Sequence, residues 1–133
     1  MLQFIFGVFI VLHGLVHLLY FGQSARRFEL RPGMIWPDGS WAFSRLLGDQ
    51  ATRKLASLAC LVAAVGFVVG GASLLISQMW WRPLVVAVAT FSSLAFILFW
   101  NGKLRKLDEQ GGVAILINLA LLLAALALPL PHP

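Results

Sequence analysis

The stretch Leu2-Gln-Phe-Ile-Phe-Gly-Val-Phe-Ile-Val-Leu-His-Gly-Leu-Val-His-Leu-Leu-Tyr-Phe-Gly22 runs for 21 residues without a charged side chain. As a helix rising about 1.5 Å per residue it is about 31 Å long, close to the ~30 Å hydrocarbon core of a bilayer. Into this apolar run the sequence sets two histidines four residues apart, His13 and His17, and one tyrosine, Tyr20. The run sets the fold class. Whether its polar residues are used or merely housed sets the functional question.

Three further apolar stretches follow, at about 55–77, 83–100 and 112–128. The 133 residues are 60% hydrophobic and 11% charged, with a mean hydropathy of +0.89, whereas about 25% of an ordinary soluble domain is charged. The expected fold is therefore an all-α membrane protein, one domain over residues 1–133 built as a bundle of four transmembrane helices. No Lys or Arg precedes Arg26, so the first run lacks the basic start of a secretory signal and is expected to stay in the mature protein. The one cysteine, Cys60, has no partner within the chain for a disulfide, and a thiol inside a span behaves mainly as a small hydrophobe.

The charge pattern gives an orientation. Arg26, Arg27, Arg31, Arg45, Arg53 and Lys54 lie between the first two spans, and Lys103, Arg105 and Lys106 between the last two. An up-and-down bundle puts both connections on one side, leaving only Arg82 on the other. Basic residues beside spans mark the cytoplasmic face, so both termini are expected outside. The net charge of +5 is accounted for by topology, and no nucleic-acid partner is read from it.

The first cytoplasmic connection, about 23–54, is turn-rich from Arg31 to Ser40, and the segment Ser40 to Gly48 reads as a short interfacial helix capped by Ser40. Its Trp36, Trp41, Phe43, Leu46 and Leu47 fit either an anchor in the membrane interface or a lid folded over the bundle. The tight turn Gln78 to Pro83 carries Trp80 and Trp81 at headgroup level. The last residues, with Pro129, Pro131 and Pro133, cannot continue a helix, and His132 reads as an exposed tail residue.

At 100° per residue His17 lies about 40° from His13, and Tyr20 about 20° on the other side. Phe6, Phe9 and Ile10 share that face, with Val8, Val11, Leu15, Leu18 and Leu19 opposite. The polar stripe should face the bundle, because a charged group at the centre of a span costs about 2.5–3.5 kcal/mol on insertion scales. His17 and Asn118 each lie roughly 8 to 9 Å inside the cytoplasmic ends of their spans. Ser57 and Cys60 on the second span, and Ser92 and Ser93 on the third, come to the same half. A pocket open to the cytoplasm, floored by His13 and roofed by Tyr20 and the first loop, is the sharpest expectation. Its ligand-binding candidates are His13, His17, Tyr20, Ser93 and Asn118.

The donor set limits the chemistry. Zinc wants three or four protein ligands, and no Asp or Glu lies in a span, so no metal site is expected. Haem fares no better, since two histidines on one face cannot clamp one iron from both sides. Acid–base catalysis by His17 with Tyr20 as helper is one alternative. An apolar slot for a quinone or other lipophilic molecule asks only for stacking aromatics and one or two hydrogen-bonding groups. The plainest reading has neutral histidines hydrogen-bonded to helix-three or helix-four partners as interhelical glue. The spans show no intramembrane charge and no inverted repeat that would support transport. Membrane lipids, a larger membrane complex or further copies of the chain are the expected partners.

The segment Gly7-Val-Phe-Ile-Val-Leu-His13-Gly14 resembles the first-helix pattern of DoxX-like small membrane proteins, and Gly111-Gly112 followed by Asn118-Leu119 resembles the start of their last span. The sequence departs from that pattern in having no basic residue at the start of helix one and His17 where the family often has Lys. The resemblance implies a four-helix bundle in a bacterial or archaeal cytoplasmic membrane and a role as membrane subunit of a quinone-reducing oxidoreductase. Only His13 and Gly14 carry over as matching positions. The functional expectation is a small accessory or anchoring subunit, with quinone as the alternative cofactor. A stand-alone histidine enzyme and a purely structural subunit compete with it.

Overall fold

The computed structural model describes residues 1–129, and over them the chain is all helical, without strands. Four α-helices follow in order: α1 (Leu2–Ser24), α2 (Ser44–Leu75), α3 (Trp81–Leu98) and α4 (Gly112–Ala127), with a short 3-10 turn at Leu107–Gln110 before the last. Helices α1, α2 and α3 are long and apolar enough to cross a membrane. With 16 residues α4 is shorter, about 24 Å. The expectation for His132 lies outside the described residues.

Each helix follows its apolar stripe. On α1 the buried positions Gly7, Ile10, His13, Gly14, His17 and Tyr20 recur at spacings of three and four. Phe9, expected on that face, is exposed, and Phe6 instead packs edge-on against Trp81 at 6.0 Å. The closest approach joins α1 to α2: a Cβ added at Gly71 would sit 2.7 Å from the Gly7 carbonyl oxygen and 2.9 Å from the Val11 nitrogen. Only glycine permits that backbone contact. Above it lies a core of Ile10, Phe67, Trp81, Val85 and Leu121.

The second helix starts 11 residues earlier than the apolar run at 55. Thr52 is fully buried and bonds back to the Gly48 carbonyl at 2.8 Å, and the Ser24 hydroxyl donates to the Arg53 carbonyl at 2.6 Å. The first bond lies within α2 and the second joins it to α1, and together they hold a segment that hydropathy alone reads as loop. The short helix expected over Ser40–Gly48 is reduced to one turn from Ser44, because Gly48 breaks the helix at φ 81° and ψ 161°. The N-cap position is Phe43, but the Ser40 hydroxyl still accepts from the Phe43 N–H at 3.3 Å, as the expected cap would. The same hydroxyl donates to the Leu98 carbonyl at 2.6 Å and tethers the loop to the end of α3.

Both basic connections meet at one end of the bundle. Arg31 pairs with Asp108, and the Trp41 N–H donates to the Trp100 carbonyl at 2.8 Å. The connection from 25 to 43 folds back across this end. Buried Gln23 holds it by donating to the Met34 carbonyl at 2.9 Å and accepting from the Leu30 N–H at 3.0 Å. Asp38 accepts from Arg26 at 2.9 Å and from Arg53 at 2.5 Å, tying loop to helix. At the opposite end Arg82 donates to the Leu128 carbonyl at 2.8 Å and ties down α4.

Candidate functional site

Helices α1, α3 and α4 bring four polar side chains together inside the bundle: His13, His17, Ser92 and Asn118, none more than 3% exposed. The His13 Nε2 lies 2.7 Å from Asn118 Oδ1, Asn118 Nδ2 lies 3.0 Å from Ser92 Oγ, and Ser92 Oγ lies 2.7 Å from His17 Nε2. The His17 Nδ1 lies 2.9 Å from the His13 carbonyl oxygen, one turn back on α1.

The protons follow from the acceptors. A carbonyl oxygen only accepts, so His17 carries its proton on Nδ1, and a neutral ring then leaves Nε2 as an acceptor. Ser92 must donate to it, which makes Ser92 Oγ the acceptor for the Asn118 amide N–H. The Asn118 carbonyl oxygen then accepts from His13 Nε2–H. For neutral rings this is the one arrangement in which every contact has a donor and an acceptor. It closes a circuit from His13 through Asn118, Ser92 and His17 back to the His13 backbone. The only polar atom of these four side chains without a protein partner is His13 Nδ1.

Aromatic rings seal the circuit. Phe67 of α2 packs against His13 at 4.7 Å and His17 at 5.1 Å, while the two imidazoles meet edge to face at 4.9 Å. Toward the basic end, Trp36 descends from the loop into a cage of Tyr20 at 5.4 Å, Phe96 at 5.5 Å and Phe99 at 6.2 Å. It is 2% exposed, and its indole Nε1 is buried without a partner. Between Trp36 and the circuit lies a cavity of about 10 Å³, bordered by His17, Ser92, Cys60 and Phe96. That is room for about one water molecule.

The sequence candidates are thus divided. His13, His17 and Asn118 are joined, as their depth and shared face require. Tyr20 lies on the same stripe but contributes its ring to the cage around Trp36. Ser93 lies outside the circuit: its hydroxyl is buried without a partner, and the neighbouring Ser92 takes the contact. The open pocket expected above His13 is filled by the Trp36 indole. Sequence reasoning set Ser92 at the right depth and Trp36 in an anchoring or lid loop without counting either among the site candidates, and it did not read Gln23. For Ser92 a signal existed, because Val85, Val88, Ala89, Ser92 and Phe96 form the buried face of α3. Among the described residues no three His, Cys, Asp or Glu side chains converge as a metal site would require.

No family model matches the sequence, and neither the curated proteins nor the solved structures contain a significant match to it.

Proposed function

We propose that the chain is a four-span membrane subunit, with an accessory or anchoring role, whose buried histidines act as a clamp between helices. The observation that carries this reading is the closed circuit: except for His13 Nδ1, the polar side-chain atoms of His13, His17, Ser92 and Asn118 bond within it, beneath a cavity sized for one water. A catalytic pair needs a group within reach of a substrate, and a quinone needs a slot for its ring. Both require Trp36 to leave its cage first. The DoxX-like likeness is consistent with a subunit role and rests on its two short motifs.

In this reading α4 is the fourth span. Its 16 residues fall about 6 Å short of a ~30 Å core, a mismatch that bilayer thinning and tilting of neighbours absorb at a fraction of a kcal/mol per Å. The two basic connections face the cytoplasm and both termini lie outside, because nine of the ten Lys and Arg residues sit at one end.

The test is purification in mild detergent from the native membrane, with the mass of the intact assembly and of its extracted small molecules measured together. The expected result is a stoichiometric assembly heavier than the 14.6 kDa chain, unchanged in composition in the His17→Phe variant. A lone monomer carrying a stoichiometric lipophile that disappears in His17→Phe would overturn it.

A further inference from the structure

A second feature lies on the outside of the bundle, where α1 and α2 leave the apolar region at the basic end. A groove of about 570 Å³ has Arg26, Arg53 and Lys54 at its rim and Phe21, Leu58 and Leu61 along its wall. Its two halves differ in chemistry along the helix axis. On α2 the rim cations Arg53 and Lys54 stand one turn before Leu58 and two turns before Leu61, so the groove passes from cationic to apolar toward the centre of the helix. Leu58 is 58% exposed and Leu61 41% exposed.

We propose that this groove binds one anionic phospholipid, its phosphate at the cationic rim and an acyl chain along Phe21, Leu58 and Leu61. The proposal rests on the membrane-spanning reading of α1 and α2 but needs no assignment of sides. Charge complementarity selects the occupant. Three cations face two nearby carboxylates, Asp38, which already bridges Arg26 and Arg53, and Asp49, whose charge acts on the same two arginines. Lys54 is exposed and pairs with no carboxylate among the described residues. Arg26 spends its two terminal nitrogens on the Gln23, Trp36 and Ile35 carbonyls and Asp38 and contributes charge alone, whereas Arg53, held by Asp38 through Nε and Nη2, keeps Nη1 as a preset donor for a phosphate. Arg27, whose guanidinium lies 6.0 Å from the Phe21 ring centroid, adds a fourth positive charge beside the wall. A zwitterionic lipid offers the same acyl chain but brings its own cation to a rim already positive. Basic pockets between spans at one membrane face are the usual seats of anionic headgroups.

The experiment is native mass spectrometry of the full chain in a mild non-ionic detergent, titrated with phosphatidylglycerol and with phosphatidylcholine of the same acyl composition. One phosphatidylglycerol is expected to bind at least about tenfold more tightly than phosphatidylcholine, as two unpaired charges near the surface imply. Lys54→Gln is expected to weaken phosphatidylglycerol about fivefold and leave phosphatidylcholine unchanged. Lys103→Gln, on the other basic connection, is the control and is expected to leave both unchanged. Equal affinity for the two lipids overturns the proposal, and so does an equal loss in Lys54→Gln and Lys103→Gln, which marks diffuse attraction. Alkaline carbonate extraction of the source membranes separates the two levels: release of the chain undoes the membrane reading, whereas retention without lipid preference undoes only the site.

Discussion

Replacing Asn118 by Leu removes two contacts of the circuit at once, the 2.7 Å bond from His13 and the 3.0 Å bond to Ser92. Asn118 is fully buried, so no water enters to replace it, and His13 Nε2–H is left without an acceptor. A stranded buried donor costs about 1–3 kcal/mol, and Asn118→Leu is expected to destabilise the bundle by that amount. The bond itself is isolated by a double-mutant cycle with His13→Phe. Interhelical hydrogen bonds in membrane proteins average about 0.6 kcal/mol with a ceiling near 1.7, so the coupling should lie in that range and the double variant should be more stable than additivity predicts. Reversible unfolding in bicelles by titration with a denaturing detergent gives all four corners of the cycle. A cost for Asn118→Leu within about 0.5 kcal/mol, together with a coupling of zero, would refute the circuit.

Three further outcomes are expected. Ser92→Ala should cost about 1 kcal/mol in the same assay and Ser93→Ala less than about half that, since only Ser92 bridges His17 and Asn118. Gly71→Ala should cost about 1–3 kcal/mol, because its Cβ would meet the α1 backbone at 2.7 Å; a neutral result in the unfolding titration would contradict the crossing. The Arg31 hydrogen bond to Asp108 holds that carboxyl below its ordinary value of 3.8. A depressed folded value means that the contact contributes above the ordinary value and is lost as pH falls through the depressed one. A carboxyl carbon NMR titration should therefore show Asp108 ionised below pH 3.8, returning toward 3.8 in Arg31→Gln.

The parts of the structure legible in the sequence are those written in one helix at a time. Apolar length gave α1 and α3 nearly to their ends, and the angular stripe of α1 aimed His13 and His17 inward before any neighbour was known. Equal depth paired His17 with Asn118 closely enough that both fell into one circuit. What stayed hidden depends on contacts between helices and loops. Ser92 and Ser93 are adjacent, and which one enters the circuit is set by the rotation of α3 against α1 and α4. The early start of α2 is held by Ser24 and Thr52, which no hydropathy window registers. The descent of Trp36 depends on the path of the 25–43 loop, which Gln23 holds from the end of α1 and which Asp38 ties to Arg53 of α2. A tryptophan in a basic loop reads equally well as an interfacial anchor or a plug, and here its ring fills the space above the histidines.

The circuit is tested most directly by the ring nitrogens themselves. Nitrogen-15 NMR of histidine-labelled protein in lipid nanodiscs reports which nitrogen of each imidazole carries the proton. The closed circuit predicts opposite tautomers on one helix, His13 protonated at Nε2 and His17 at Nδ1, each converted by Asn118→Leu and Ser92→Ala to an altered shift. Two histidines of the same tautomer, or averaged shifts that ignore both substitutions, would contradict it.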